Sequence, residues 1–109
     1  MKTSTPSASQ AQASQIDANR TPLFQLGQLV ATPAALHHLD LAGQDPQTLV
    51  QRHLTGDFGK LCKEDIGLNH LAIQQGLRIL SAYEIAGDKL YCITEADRSS
   101  TCLLLAREY

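Results

Sequence analysis

The stretch LRILSAYEIAGDKLYCITEADRSSTCLLLAREY, residues 77–109, decides the fold. It contains three runs rich in leucine, isoleucine, tyrosine and threonine, and two short polar segments separate these runs. One segment contains Gly87-Asp88, which is typical of a two-residue hairpin turn, and the other contains Arg98-Ser99. We therefore predict three antiparallel strands joined as a meander.

The two predicted turns set which residues of the meander lie side by side. The first turn places Tyr83 opposite Cys92, and the second places Leu105 beside Cys92. Because side chains alternate along a strand, one face forms a core, with members Ile79, Tyr83, Ile85, Leu90, Cys92, Leu103 and Leu105. The opposite face is mixed and is expected to be a partner surface. It carries Arg78, Leu80, Glu84, Tyr91, Ile93, Glu95, Cys102 and Leu104.

Two pairs of residues upstream of the meander are typical of helix starts. In Thr32-Pro33 and in Asp45-Pro46, a side chain that caps a helix directly precedes a proline. These helices and a third are each predicted to end before a glycine, and they span residues 33–42, 46–55 and 63–75. Each has an apolar stripe that is expected to pack on the meander. The stripes are Leu36, Leu39 and Leu41, then Leu49, Val50, His53 and Leu54, and last Ile66, Leu68, Leu71, Ala72 and Ile73.

The predicted fold class is α+β, with three short helices packed on one face of a small antiparallel β-meander sheet. A short strand within residues 23–30, with a bulge at Gly27, is expected at the sheet edge. Residues 22–109 form the predicted single domain. Residues 1–21 are mostly Ser, Ala, Gln and Thr, which bury too little apolar surface to fold, so a disordered, flexible N-terminal tail is predicted.

The composition excludes several classes of protein. No run approaches the ~20 apolar residues of a membrane-spanning helix. From residue 22 onward there are seven Lys and Arg against ten Asp and Glu, a charge that does not support nucleic-acid binding. The cysteines have neither disulfide nor zinc spacing, so we predict free thiols, a cytoplasmic location, no metal site and no cofactor. They are Cys62, Cys92 and Cys102.

The leading candidate site lies in residues 94–101, where polar side chains concentrate at one end of the meander. A protein partner is expected to bind there through Tyr91, Glu95, Asp97, Arg98, Ser99 and Thr101. The alternative is a tight turn in which Asp97 accepts backbone N–H groups and Arg98 is solvated or pairs with Asp97.

A second candidate site lies at the end of the second predicted helix and consists of His53, Asp57 and Phe58. A histidine and an aspartate four residues apart can cooperate at a helix terminus. The alternative is a histidine that interacts favourably with the negative end of the helix, followed by a turn closed by Phe58.

Four segments carry a resemblance to a known family: LVATPAAL (29–36), RHLTGDFG (52–59), RILSAY (78–83) and ITEADRSST (93–101). They resemble a family of small uncharacterised bacterial proteins that are common on plasmids and phages and are sometimes labelled type I restriction subunit M. Its members usually carry Trp where this chain has Phe58. The resemblance implies a mobile-element accessory protein that binds a protein partner, as an anti-defence factor (anti-restriction or anti-CRISPR-like) or as a regulator.

A more distant similarity is to the metal-independent endoribonucleases of the barnase and RelE type, in which helices precede an antiparallel meander. This similarity implies that Glu95 is the general base and that Arg78 and Arg98 hold the phosphate. No histidine occurs in the meander sequence to act as the general acid. The sequence therefore leaves two functions open, a protein-binding accessory factor and an endoribonuclease.

Overall fold

The computed structural model describes residues 21–109, which form three α-helices and a four-stranded mixed sheet. The predicted α+β fold is confirmed for this part of the chain. Apart from Thr21, the predicted flexible tail lies outside the described residues. The elements in chain order are β1 (Gln28–Ala31), α1 (Pro33–Ala42), α2 (Pro46–Leu54), α3 (Lys63–Gln75), β2 (Ile79–Ile85), β3 (Asp88–Thr94), β4 (Ser100–Leu105) and a 3-10 turn (Ala106–Glu108).

The strands lie in the order β1-β4-β3-β2, and β2, β3 and β4 form the predicted antiparallel meander. β1 lies at the edge of the sheet, as expected, but it runs parallel to β4, so the sheet is mixed and not purely antiparallel. The strand also begins later than predicted. Gly27 adopts a left-handed conformation (φ 65°), and a Cβ atom there would overlap the carbonyl oxygen of Arg98. The chain before β1 therefore crosses the β3–β4 turn at a distance that only glycine allows.

The register of the meander differs from the prediction by two residues. Tyr83 lies opposite Leu90, and Cys92 lies opposite Leu103, so the predicted pairs of Cys92 with Tyr83 and with Leu105 are wrong. The reason is that the first turn is formed by Ala86 and Gly87, which both have positive φ, as a type I′ turn requires. A shift of two residues leaves every side chain on its face, so the predicted core face is confirmed. All its members are buried except Ile85, which is partly buried.

The helices pack on this core face and form two clusters. In the larger cluster, buried residues of α1 and α2 contact Tyr83, Leu90, Cys92, Leu103 and Leu105. In the smaller cluster, Phe58 and Ala72 pack against Ile79. The predicted stripe of α2 is confirmed, whereas Leu36 and Leu41 of α1 are exposed. The predicted stripe of α3 is wrong at Leu68 and Leu71, because the helix turns Asn69 and Ala72 inward instead.

Asn69 points inward because it covers the edge of β2. Its side-chain amide donates to the carbonyl oxygen of Leu80 (2.7 Å) and accepts from the Leu80 N–H group (3.1 Å). Two residues along the same edge, Ala82 bonds to the loop that contains Phe58 and Lys60, at 3.0 and 2.7 Å. Both contacts satisfy backbone groups that an edge strand otherwise leaves open.

The helix ends follow the predicted capping residues. Thr32 accepts from the N–H group of Ala35 (3.1 Å), and Asp45 accepts from that of Gln47 (3.0 Å). α1 and α3 end at glycines in the left-handed conformation, as predicted, whereas α2 ends one residue early, at Leu54. In residues 21–109, no helix combines the length and the apolar character needed to cross a bilayer.

Candidate functional site

The face of the sheet opposite the helices, called the outer face here, carries a row of apolar side chains across all four strands. The strand registers place Val30 beside Cys102, Cys102 beside Ile93, and Ile93 beside Leu80. We call these four residues the apolar row. α1 and α2 pack on the core face, whereas α3 borders the row at Leu80, which lines a pocket together with Leu68 and Asn69. Val30 is 39% exposed, Leu80 and Cys102 are partly exposed, and Ile93 is only 5% exposed. Partial burial raises the pKa of Cys102, which keeps its thiol protonated and apolar at neutral pH.

One end of the outer face carries an ion pair, and Tyr109 links this pair to Tyr91, which lies beyond Ile93 along β3. The Arg78 guanidinium contacts a carboxylate oxygen of Glu95 at 3.3 Å and donates to the hydroxyl oxygen of Tyr109 at 3.2 Å. The Tyr109 ring in turn meets Tyr91 edge to face, with 5.6 Å between the ring centroids. Three of the residues singled out in the sequence, Arg78, Glu95 and Tyr91, are therefore brought together.

The opposite end of the outer face carries a second ion pair. The Lys60 ammonium lies 2.6 Å from a carboxylate oxygen of Glu84, and this hydrogen bond lowers the pKa of Glu84 and raises that of Lys60. Lys89 lies opposite Glu84 on the neighbouring strand. The apolar row is thus bordered on both sides, along β2 and β3, by ion pairs formed within the chain.

The β3–β4 turn holds Asp97, Arg98 and Ser99, but their side chains do not join the outer face cluster. Asp97 accepts from the N–H group of Ser99 at 2.9 Å, and hydrogen bonds from Ser99 lower the Asp97 pKa. This confirms the Asp97 part of the turn that the sequence offered as the alternative. The Arg98 part is wrong, because Arg98 neither pairs with Asp97 nor points into solvent but donates to backbone carbonyl oxygens. Asp97 and Ser99 are exposed, whereas Thr101 is fully buried, so Thr101 has no surface to offer a partner.

Arg98 links the β3–β4 turn to the end of α3. Its guanidinium donates to four backbone carbonyl oxygens, those of Ala72 (3.0 Å), Leu77 (2.8 Å), Glu95 (3.0 Å) and Ala96 (3.2 Å). It also lies 5.8 Å from the centroid of the Phe24 ring, on the helix side of the sheet. Cationic side chains stabilise the carbonyl end of a helix in this way. Arg78 and Arg98 therefore do not form one phosphate clamp.

The second candidate site is divided between the core and the surface. Phe58 belongs to the smaller core cluster, and its ring lies edge to face with those of His53 and His70. Asp57 forms a two-point contact with Arg52, at 2.7 and 3.3 Å. This ion pair borders a surface pocket of about 330 Å³ that is also lined by Gly59, Lys60, Tyr83 and Glu84.

His53 is fully buried and takes part in a chain of hydrogen bonds. Its Nδ1 atom lies 2.5 Å from the Ser81 hydroxyl, and its Nε2 atom lies 2.8 Å from the hydroxyl of Thr94. Thr94 contacts Thr101 (2.7 Å), and Thr101 donates to the carbonyl oxygen of Leu26 (2.9 Å). Burial lowers the pKa of His53 to about 4, so the ring is neutral at neutral pH. With no access to solvent, His53 and Ser81 form a structural pair and not an accessible nucleophile with its base.

This hydrogen-bond chain was not predicted, because His53 was assigned to the apolar stripe of α2 and to a surface site with Asp57. The alternation of side chains along the strands could have revealed it, since this alternation places Ser81, Thr94 and Thr101 on the predicted core face. Hydroxyl groups at core positions require partners, and a histidine on the helix facing them supplies these partners.

No group of three His, Cys, Asp or Glu side chains between residues 21 and 109 is arranged to hold a metal ion. Comparisons with protein-family models, with curated proteins and with solved structures find no match to this chain.

Proposed function

We propose that this protein is a small binding protein that docks a protein partner on the outer face of its sheet. The observation that carries this proposal is the apolar row, which crosses four strands on the face opposite the larger core cluster. Val30, Cys102 and Leu80 expose part of their side chains there, whereas Ile93 is buried. Apolar surface bordered by polar groups is the usual anatomy of a protein interface. Here Arg78–Glu95 and Lys60–Glu84 provide the polar border.

The setting of this function comes from the family resemblance of the sequence. In that setting the chain is an accessory protein of a mobile element, and its partner is a host defence protein or a regulator of the element. A cytoplasmic location belongs to the same proposal and is supported by the free thiols of Cys62, Cys92 and Cys102.

A pair of matched variants tests the proposed surface. Val30→Lys places a charge in the apolar row at a side chain that is 39% exposed, so the fold should tolerate it. Leu41→Lys changes a leucine on α1 that is 73% exposed and serves as the control. A partner identified by crosslinking to the wild type and then purified should bind Leu41→Lys with unchanged affinity. It should bind Val30→Lys at least about tenfold more weakly, as expected when a charge replaces an apolar contact residue of an interface. Equal affinity for both variants would place the binding surface elsewhere.

The alternative is a metal-independent endoribonuclease of the barnase or RelE type, and one contact favours it. Arg78 and Glu95 meet on the open face of the sheet, where a base and a phosphate ligand would have access to RNA. This interpretation requires that Glu95→Gln abolishes RNA cleavage by the purified protein while the fold and RNA binding persist. If the wild-type protein does not cleave RNA, the endoribonuclease alternative is wrong.

A further inference from the structure

A stripe on the outward flank of α3 is spaced like the contact seam of a helix pair. Glu64, Leu68, Leu71 and Gln75 follow one another at intervals of four, three and four residues, so they lie along one side of the helix. All four are exposed, with Leu68 61% and Leu71 41% accessible. The core takes the other side of α3, where Asn69 and Ala72 are buried. The leucines of the stripe thus have no core role in residues 21–109.

The stripe is symmetric about the middle of the helix. In an antiparallel pair of α3 helices related by a two-fold axis, Leu68 of each copy lies opposite Leu71 of the other. In the same register, Glu64 lies opposite Gln75, so a carboxylate meets an amide that can donate to it. The two ends of the stripe are therefore complementary to each other, which is what an interface between identical copies requires.

Gly67 lies beside this stripe and provides a second, independent observation. A glycine inside a helix destabilises it relative to alanine, so its presence needs a reason. Nothing in the described part of the chain supplies one, because a Cβ atom on Gly67 would meet no described atom within 4 Å. Gly67 also has no positive φ angle, so its backbone conformation does not require a glycine. A missing side chain next to a leucine stripe lets a second backbone approach closely.

We propose that α3 pairs with α3 of a second copy of this chain, antiparallel, through Glu64, Gly67, Leu68, Leu71 and Gln75. The partner helix belongs to a second copy of this chain, because only two identical helices related by a two-fold axis place Glu64 opposite Gln75 at both ends of the stripe. A contact between two helices of this length falls below the standard interface size of roughly 1,200–2,000 Å², so the dimer is weak and depends on concentration. The stripe adjoins the outer face, since Leu68 and Leu80 line one pocket, but the pairing does not require the proposed partner-binding function.

Sedimentation equilibrium of the full chain, from about 5 µM to about 500 µM, tests the proposal over the range of weak association. The expected result is a mass that rises from monomer toward dimer. Leu68→Lys should raise the dissociation constant at least tenfold, while the monomer stays folded because the introduced ammonium would form a favourable pair with Glu64 one turn before it. Leu36→Lys on α1 is the matched control, since Leu36 is also an exposed leucine (47%), and it should leave association unchanged.

Two substitutions at one position test the antiparallel register. Gln75→Lys should lower the dissociation constant roughly threefold, because a lysine would face Glu64 of the other copy, and Gln75→Glu should raise it by a similar factor. Gly67→Ala should raise the melting temperature of the monomer by about 2–8 °C and weaken the dimer. A monomer mass at every concentration overturns the proposal. Equal effects of Leu68→Lys and Leu36→Lys, or equal dissociation constants for the two Gln75 variants, overturn it as well.

Discussion

The Nε2 atom of His53 lies 2.8 Å from the Oγ1 atom of Thr94, and the groups beyond this contact determine which ring nitrogen carries the proton. The Thr101 hydroxyl donates to a carbonyl oxygen, which can only accept, so it accepts from Thr94. Thr94 has then used its only proton and must accept from Nε2–H. The Nδ1 atom is consequently the acceptor for the Ser81 hydroxyl. Every member of the chain is satisfied only if the His53 ring is neutral.

This neutral ring predicts that the protein loses stability in mild acid. Burial lowers the pKa of His53 from 6.5 to about 4, so between these values the unfolded chain binds a proton that the folded chain does not. Stability from His53 is complete above pH 6.5 and is lost as the pH falls toward 4, by on the order of 3 kcal/mol in total. Urea denaturation of the wild type and of His53→Gln across this window measures the effect.

His53→Gln keeps a neutral donor and acceptor but cannot take up a proton, so its stability should change much less over the same window. The exposed carboxylates with lowered pKa values, such as Glu84 and Asp88, are protonated only at the acidic end of the window and below it. If both proteins lost stability equally between pH 6.5 and 5, the acid sensitivity would not arise from His53.

Thr94→Val should destabilise the protein by roughly 1–3 kcal/mol, because it leaves the buried Nε2–H group of His53 without an acceptor. Thr94→Ser keeps the hydroxyl and loses only a methyl group, so its cost should be about 1 kcal/mol. Denaturant titrations at neutral pH compare the two free energies of unfolding. A Thr94→Val protein at least as stable as Thr94→Ser would mean that the hydrogen-bond chain contributes nothing.

Arg98→Ala should reduce the free energy of unfolding by roughly 1–3 kcal/mol, since four carbonyl oxygens lose a charged donor. Arg98 also has a positive φ of 60°, which is unfavourable for alanine and easy for glycine. We therefore expect Arg98→Gly to be about 1 kcal/mol more stable than Arg98→Ala, although both lack the guanidinium. The reverse order in thermal denaturation would contradict the left-handed turn.

Leu103→Ala should cost on the order of 2–5 kcal/mol, because Leu103 is buried in the larger core cluster. Leu104 is its neighbour on the outer face and is only partly buried, so Leu104→Ala should cost less than about 1.5 kcal/mol. The two variants differ only in the face of β4 they affect, and denaturant titration distinguishes them. Equal costs would argue against the assignment of faces.

The sequence predicted those parts of the fold that depend on local chemistry. Thr32 and Asp45 cap their helices, and Gly43 and Gly76 end theirs, because each needs only its own neighbours to do so. The register of the meander was not predictable in the same way. It depends on Ala86 taking a positive φ, which alanine does only when the turn around it requires that conformation.

The candidate site was predicted in part for the same reason. Alternation along strands correctly placed Glu95 and Tyr91 on the outer face with Arg78. The role of Arg98 depends instead on carbonyl groups at the end of α3, which are distant in sequence and invisible to local patterns. Likewise, Asn69 faces inward because the edge of β2 needs hydrogen bonds, a demand that an apolar stripe does not reveal.

The parallel pairing of β1 with β4 has a consequence for synthesis on the ribosome. β1 forms strand hydrogen bonds with β4 alone among the described strands, and β4 is the last of them in the sequence. During synthesis, β1 therefore has no partner strand until β4 has emerged. Contacts between such distant segments close late, because the entropy of the intervening loop must be overcome first. Co-translational folding can therefore form the helices early, but completion of the sheet must wait for Leu105.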